Sequence, residues 1–162
     1  MNCTVDCVDL LKIAIEKLRQ NAKAYGVEEI INGIVKPIEE YEICQDSYDL
    51  IMAVSALEHI DSEESFIRKL SEIKDGIKEN GIVCLVINSN VRETIAETEE
   101  ALEAQFEVNL PTEKLQSLLE NIFSDWRVLK TGVTTQEYDI PRNGIISHLN
   151  TNVVTFVVQN RL

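Results

Sequence analysis

The chain has two imidazoles, His59 and His148, and imidazole is the side chain whose ordinary pKa best suits general-base work near neutral pH. His59 stands beside Glu58, shortly after the apolar run Tyr48–Val54. There it reads either as a base or as a surface histidine beside a helix start. His148 lies in a polar stretch and has the weaker claim. Asp9 follows the short run Cys3–Val8 and precedes a helical pattern, where an acid can cap the helix as readily as it can hold a ligand. Cys3, Cys7, Cys44 and Cys84 show no CxxC spacing and no neighbouring histidine pair. Neither a zinc site nor a disulfide framework is indicated, no metal is expected, and the four read as reduced, small apolar residues.

These residues sit in a chain of 162 residues, 44% apolar and 27% charged, with a net charge of -13. That is the profile of an ordinary globular protein, and its length fits a single domain over residues 1–162. The negative charge would repel polyphosphate, so DNA and RNA are unfavoured partners. No stretch approaches the roughly 20 apolar residues of a membrane span, and the N-terminus, with Asp6 and Asp9 and no basic region ahead of an apolar core, does not read as a secretion signal. A cytoplasmic location is expected.

Short β-branched runs alternate with helical periodicity, which argues for βαβ units and a mostly parallel sheet. Strands are expected at Cys3–Val8, Ile30–Val35, Tyr48–Val54, Ile82–Ile87, Trp126–Lys130 and Val153–Val158. A first helix spans Lys12 to Tyr25, with Leu11, Ala14, Leu18, Ala22 and Tyr25 as its apolar stripe and Gly26 as its stop. A second is capped by Asp61 and buries Phe66, Leu70, Ile73 and Ile77, ending at Asn80-Gly81. A third, after Pro111 and capped by Thr112, buries Leu115, Leu118, Leu119, Ile122 and Phe123. Asn88–Arg92 reads as a loop, Glu93–Glu103 as a solvated acidic helix or excursion, and Thr131–Asn152 as a long polar connection suited to carrying function.

The order of these segments carries a resemblance. A strand ending in Val8-Asp9, a helix, a short strand, Tyr48-Asp49-Leu50-Ile51 running into Ser55-Ala56-Leu57-Glu58-His59, another helix, Asn80-Gly81 and Ile82-Val83-Cys84-Leu85 together resemble class I S-adenosylmethionine-dependent methyltransferases. The closing segments, Val108-Asn109-Leu110-Pro111 with Glu113 and Leu115, and His148-Leu149 leading into Asn152-Val153-Val154-Thr155-Phe156, look like the tellurite-resistance branch. The resemblance implies a three-layer Rossmann-like α/β fold whose last two strands are antiparallel, with the cofactor at the carboxyl ends of parallel strands. It makes Asp9 the acceptor of ribose hydroxyls, Ile38 an apolar contact for adenine, Ser55 a further cofactor neighbour, and Glu58 and His59 the residues near the transferred methyl, with His59 as base. For Tyr48, Asp49 and Ser55, fold determination and turn chemistry stand as the alternative.

The sequence departs from that family at two points. No glycine precedes Gly26, so the first family strand and its glycine-rich turn have no counterpart ahead of Cys3, and Lys36-Pro37-Ile38 stands where the family often has an acid for the adenine amino group. The unpaired strand edges this would leave predict self-association. Two functions follow: methyl transfer from S-adenosylmethionine to a small-molecule acceptor, or a catalytically silent methyltransferase-like module that oligomerises or binds a partner. A nicotinamide-dependent oxidoreductase, the third class to place an acid after its second strand, lacks the same glycines.

Overall fold

In the computed structural model, which describes residues 3–142 and 144–161, the chain's contacts divide into two compact units, Met1–Glu42 and Ile43–Leu162. In the first unit, β1 (Val5–Asp9) and β2 (Ile31–Val35) pair in parallel, and α1 (Lys12–Ala24) connects them. Parallel neighbours need such a crossover. The helix buries Ile15 and Ala22, whereas Leu11 and Tyr25, expected in its stripe, are 59% and 83% exposed. Gly33 fixes how closely α1 lies on β2, because a Cβ there would come within 2.8 Å of the Ile15 Cγ2. Gly26, at φ +67°, turns the chain out of the helix as expected.

The second unit is built on β3 (Tyr48–Val54), β4 (Ile77–Ile95), β7 (Ile145–Gln159) and β6 (Arg127–Arg142), in that order across one sheet, with the two-residue β5 (Ala101–Leu102) on the β4 edge. β3 and β4 are parallel, with Met52 opposite Cys84, and the other pairings are antiparallel. The sheet is therefore mixed, with β3 and β4 as the expected adjacent parallel neighbours at one end and the expected antiparallel pair at the other. α2 (Glu63–Gly76) and α3 (Thr112–Ile122) bury Phe66, Leu70, Ile73, Leu115 and Leu119. The strand core comprises Val83, Leu85 and Ile87 of β4 with Val154, Phe156 and Val158 of β7. Phe123 joins these layers, edge-on to Trp126 and tilted against Phe156. β3 ends the sheet on the other side, and its Leu50, Met52 and Val54 are 55%, 66% and 52% exposed.

Several sequence expectations are corrected here. Asn88–Arg92 is a continuation of β4 through an irregularity between Ser89 and Arg92, not a loop. Glu93–Ile95 also belongs to that strand, and the acidic stretch after it is a turn leading into the two-residue β5, an excursion rather than a helix. The connection Thr131–Asn152 is the body of a long hairpin, paired in register from Gly132–Thr155 to Arg142–Ile145. Its turn includes Gly144 at φ +89°, the conformation glycine adopts without steric cost. The N-cap of α2 is Ser62, whose hydroxyl accepts from the Ser65 amide at 3.2 Å, rather than Asp61. Thr112 does not cap α3: it is the first helical residue, with Pro111 at the cap position, and its hydroxyl is committed to Ser89, Asn90 and Asn152.

Candidate active site

At the carboxyl end of β3 the backbone turns sharply. Ser55 adopts φ +47° and its amide donates to the Val86 carbonyl at 2.8 Å, which anchors the turn to β4. The chain then makes a single 3-10 turn, Leu57–His59. Leu57, Glu58 and Ile60 are fully buried, and His59 is left exposed.

Glu58 is a buried carboxylate whose partners come from β4. Its Oε1 accepts from the Asn88 amide at 3.2 Å and from the Asn88 side-chain Nδ2, which also reaches the Ser55 hydroxyl at 3.2 Å. Asn88 Oδ1 in turn accepts from Thr151 of β7 at 3.1 Å. The other Glu58 oxygen, Oε2, is buried and has no hydrogen-bond partner among the described residues. The Glu58 carbonyl accepts from Val108 at 2.9 Å, so the same residue also holds the segment leading into α3. Glu58 thus ties Ser55, β4 and the pre-α3 segment together.

His59 faces a different surface. Its Nδ1 lies 3.2 Å from Glu107 Oε2, and its ring stacks on Phe106 with centroids 5.1 Å apart and planes at 23°. His59, Glu103, Ala104, Gln105, Phe106 and Glu107 line an open cleft of about 630 Å³. The contact at Nδ1 and the stack on Phe106 hold the ring, whose side chain is 48% exposed. His148 lines a separate cleft of about 420 Å³ with Thr94, Ile95, Ala96 and Glu99. The hydrogen bond between His148 Nδ1 and the accepting Asp139 carboxylate, at 3.0 Å, pushes the His148 pKa up, with the charges of Asp139 and Glu137 acting in the same direction.

In the first unit Asp9 ends β1, and its Oδ1 accepts from the Leu11 amide at 2.7 Å. This holds the chain just ahead of α1. Ile38, half-buried, opens the short 3-10 turn that follows β2. The residues expected from sequence therefore fall into separate groups, Asp9 and Ile38 in one unit and Ser55, Glu58 and His59 in the other. Sequence reasoning missed Asn88, Phe106 and Glu107. Asn88 had one usable signal, its place directly after an apolar strand, whereas the other two are brought to His59 only by tertiary folding.

The methyltransferase domain family matches residues 1–85, from β1 through the first half of β4. The chain belongs to that family. S-adenosylmethionine is the cofactor this membership implies. No curated protein matches the sequence. Among solved structures, TehB from Haemophilus influenzae aligns with a TM-score of 0.71 at 13% identity, covering 97% of this chain and 50% of its own. A putative methyltransferase from Bacillus halodurans aligns at 0.67 and 11% identity, covering 98% and 84%. The 1,6-didemethyltoxoflavin-N1-methyltransferase of Burkholderia thailandensis, solved with 1,6-didemethyltoxoflavin and S-adenosylhomocysteine, aligns at 0.58 and 13% identity, covering 96% and 60%. At these identities the likeness is one of fold, and this chain spans half the length of TehB. No helix among the described residues is long and apolar enough to cross a membrane.

Proposed function

We propose that this protein transfers a methyl group from S-adenosylmethionine to a small-molecule acceptor, and that residues 1–162 act as one methyltransferase-like domain in the cytoplasm. The observation that carries this is the family match over β1 to β4, together with Ser55 and His59 at the carboxyl end of a parallel strand, where open α/β sheets bind ligands. The likeness in fold to TehB supports the tellurite-resistance branch. Asp9 fits the ribose, with one oxygen held by Leu11 and one left for a hydroxyl. Ile38 fits an adenine face, and Ser55 lies nearest the end of β3. When bound, the cofactor supplies a methyl group on a sulfonium, open to in-line displacement. The protein's task is then alignment and removal of a proton from the acceptor. His59 Nε2 takes that proton, and Glu58 positions the turn that carries His59.

The test is calorimetric titration of the full chain with S-adenosylhomocysteine. Loss of one hydrogen bond to a charged acceptor costs on the order of 1.5 to 3 kcal/mol, so Asp9→Ala should weaken binding by about tenfold or more. Binding that ignores Asp9→Ala would remove Asp9 from the site. No binding at millimolar ligand would favour the second reading, a catalytically silent module. That reading is supported by Lys36-Pro37 in place of an acid, and by the position of β3 at the end of its sheet among the described residues, with Leu50, Met52 and Val54 exposed. A second copy of the chain closing that edge would satisfy its backbone groups and cover its apolar side chains. Light scattering at micromolar concentration checks this, and a monomer mass would refute it.

A further inference from the structure

The cleft beside His59 has a composition that selects among acceptors. Two of its six lining residues are the carboxylates Glu103 and Glu107, and among the described residues no lysine or arginine lines it. Its apolar wall is the Phe106 ring, stacked on His59. Phosphate or carboxylate acceptors need cationic or amide donors around them, and this cleft meets them with two negative charges inside a chain of net charge -13. A protonated amine meets the opposite: paired carboxylates for its charge and a ring face for its apolar part. The chemistry of the base points the same way. A carboxylate or thioether acceptor has its lone pair available without losing a proton, and a histidine would have no task beside it. An ammonium has no lone pair until it loses a proton, and the half-exposed His59, engaged at Nδ1 by Glu107, has its second ring nitrogen to accept one.

We propose that this cleft binds the methyl acceptor and that the acceptor is an amine carrying an apolar or aromatic group. The inference rests on the methyl-transfer reading and deepens it. The ammonium sits between the Glu103 and Glu107 carboxylates and its apolar part lies against Phe106. One N–H proton passes from the ammonium nitrogen to His59 Nε2. The N–H bonding pair stays on nitrogen as the lone pair that displacement requires, and the imidazolium then returns its proton to solvent.

Three probes of one shape separate charge from shape: phenethylamine, phenethyl alcohol and phenylacetate. Each is titrated into the full chain while the ring signals of His59 and Phe106 are followed by NMR. Contacts with exposed carboxylates contribute modestly for each charge, but attraction of the amine and repulsion of the acid add in the comparison. Phenethylamine should therefore bind at least about tenfold more tightly than phenylacetate, with the alcohol between them. The double variant Glu103→Gln/Glu107→Gln should bring the two charged probes to within about threefold of each other, with its thermal midpoint unchanged. Added salt at 0.5 M should narrow the wild-type gap. Phenylacetate binding as tightly as phenethylamine, an amine preference that survives the double variant, or no shift of either ring at 10 mM phenethylamine (roughly the weakest range in which specific binding is useful) would each overturn the proposal. Titration of the same sample with S-adenosylhomocysteine separates the two readings. Its failure removes methyl transfer but leaves a measured amine preference standing as a property of the cleft. Cofactor binding without amine preference removes only the acceptor class.

Discussion

Replacing Glu58 tests whether its carboxylate is the clamp that holds the site's turn to β4. In the folded protein Oε1 receives two donors from one residue, the backbone amide and the Nδ2 of Asn88. Glu58→Leu keeps an apolar volume at a position with no solvent exposure, so cavity formation contributes little. It removes both bonds. Asn88 Nδ2 retains the Ser55 hydroxyl at 3.2 Å, whereas the Asn88 amide loses its carboxylate partner. One lost bond to a charged acceptor and one buried donor without a partner together predict a destabilisation of about 3 to 4 kcal/mol. Glu58→Gln keeps an accepting oxygen toward Asn88 and puts an amide where Oε2 already lacks a partner, so about 1 kcal/mol is expected. Urea unfolding followed by the fluorescence of the buried Trp126 measures both. The amide signal of Asn88 reports whether the loss is local. A leucine variant within 1 kcal/mol of wild type, or a glutamine variant worse than leucine, would refute the clamp (both thresholds are about the size of one net hydrogen bond).

At the far end of the hairpin, Glu93 is 3% exposed and pairs with Arg142 Nε at 2.5 Å while accepting from the buried Ser147 hydroxyl. Arg142→Met should cost about 3 to 5 kcal/mol in urea unfolding by leaving a buried charge alone, and Glu93→Leu/Arg142→Met should recover most of that loss, a recovery whose absence would show that the two do not act as a pair. His148, with its pKa raised by its hydrogen bond to Asp139, contributes stability that is full below its unfolded pKa and is lost as pH rises through its folded pKa. An NMR titration of the His148 ring should show the midpoint falling in Asp139→Asn, and an unchanged midpoint would rule Asp139 out as the cause.

The elements that sequence foretold are those marked by a run of apolar residues. Tyr48–Val54 and Ile82–Ile87 are such runs and they do pair in parallel, although Leu50, Met52 and Val54 of β3 are exposed. β6 and the first half of β7 fail this test for a physical reason. β6 is an edge strand, exposed along nearly its whole length, so Thr131, Thr134, Thr135, Gln136 and Glu137 need no apolar partner and read as loop. The Asn143-Gly144 dipeptide was the available sign of a hairpin, and it outweighs the polarity around it because register depends on the turn. The site divides the same way. His59 was singled out because its place after the strand Tyr48–Val54 is a local property. Its partners Phe106 and Glu107 come from a segment beyond β5, brought close by the Val108 amide bonding to the Glu58 carbonyl, and no local pattern encodes that meeting. Glu58 shows the limit most clearly. Leu57 and Ile60, three apart on a 3-10 turn, share a buried face by periodicity, while Glu58 between them would ordinarily be solvated. It is buried because Asn88, on a strand that polarity made look like a loop, supplies the donors its charge requires. The carboxylate and the strand that receives it were legible only as a pair.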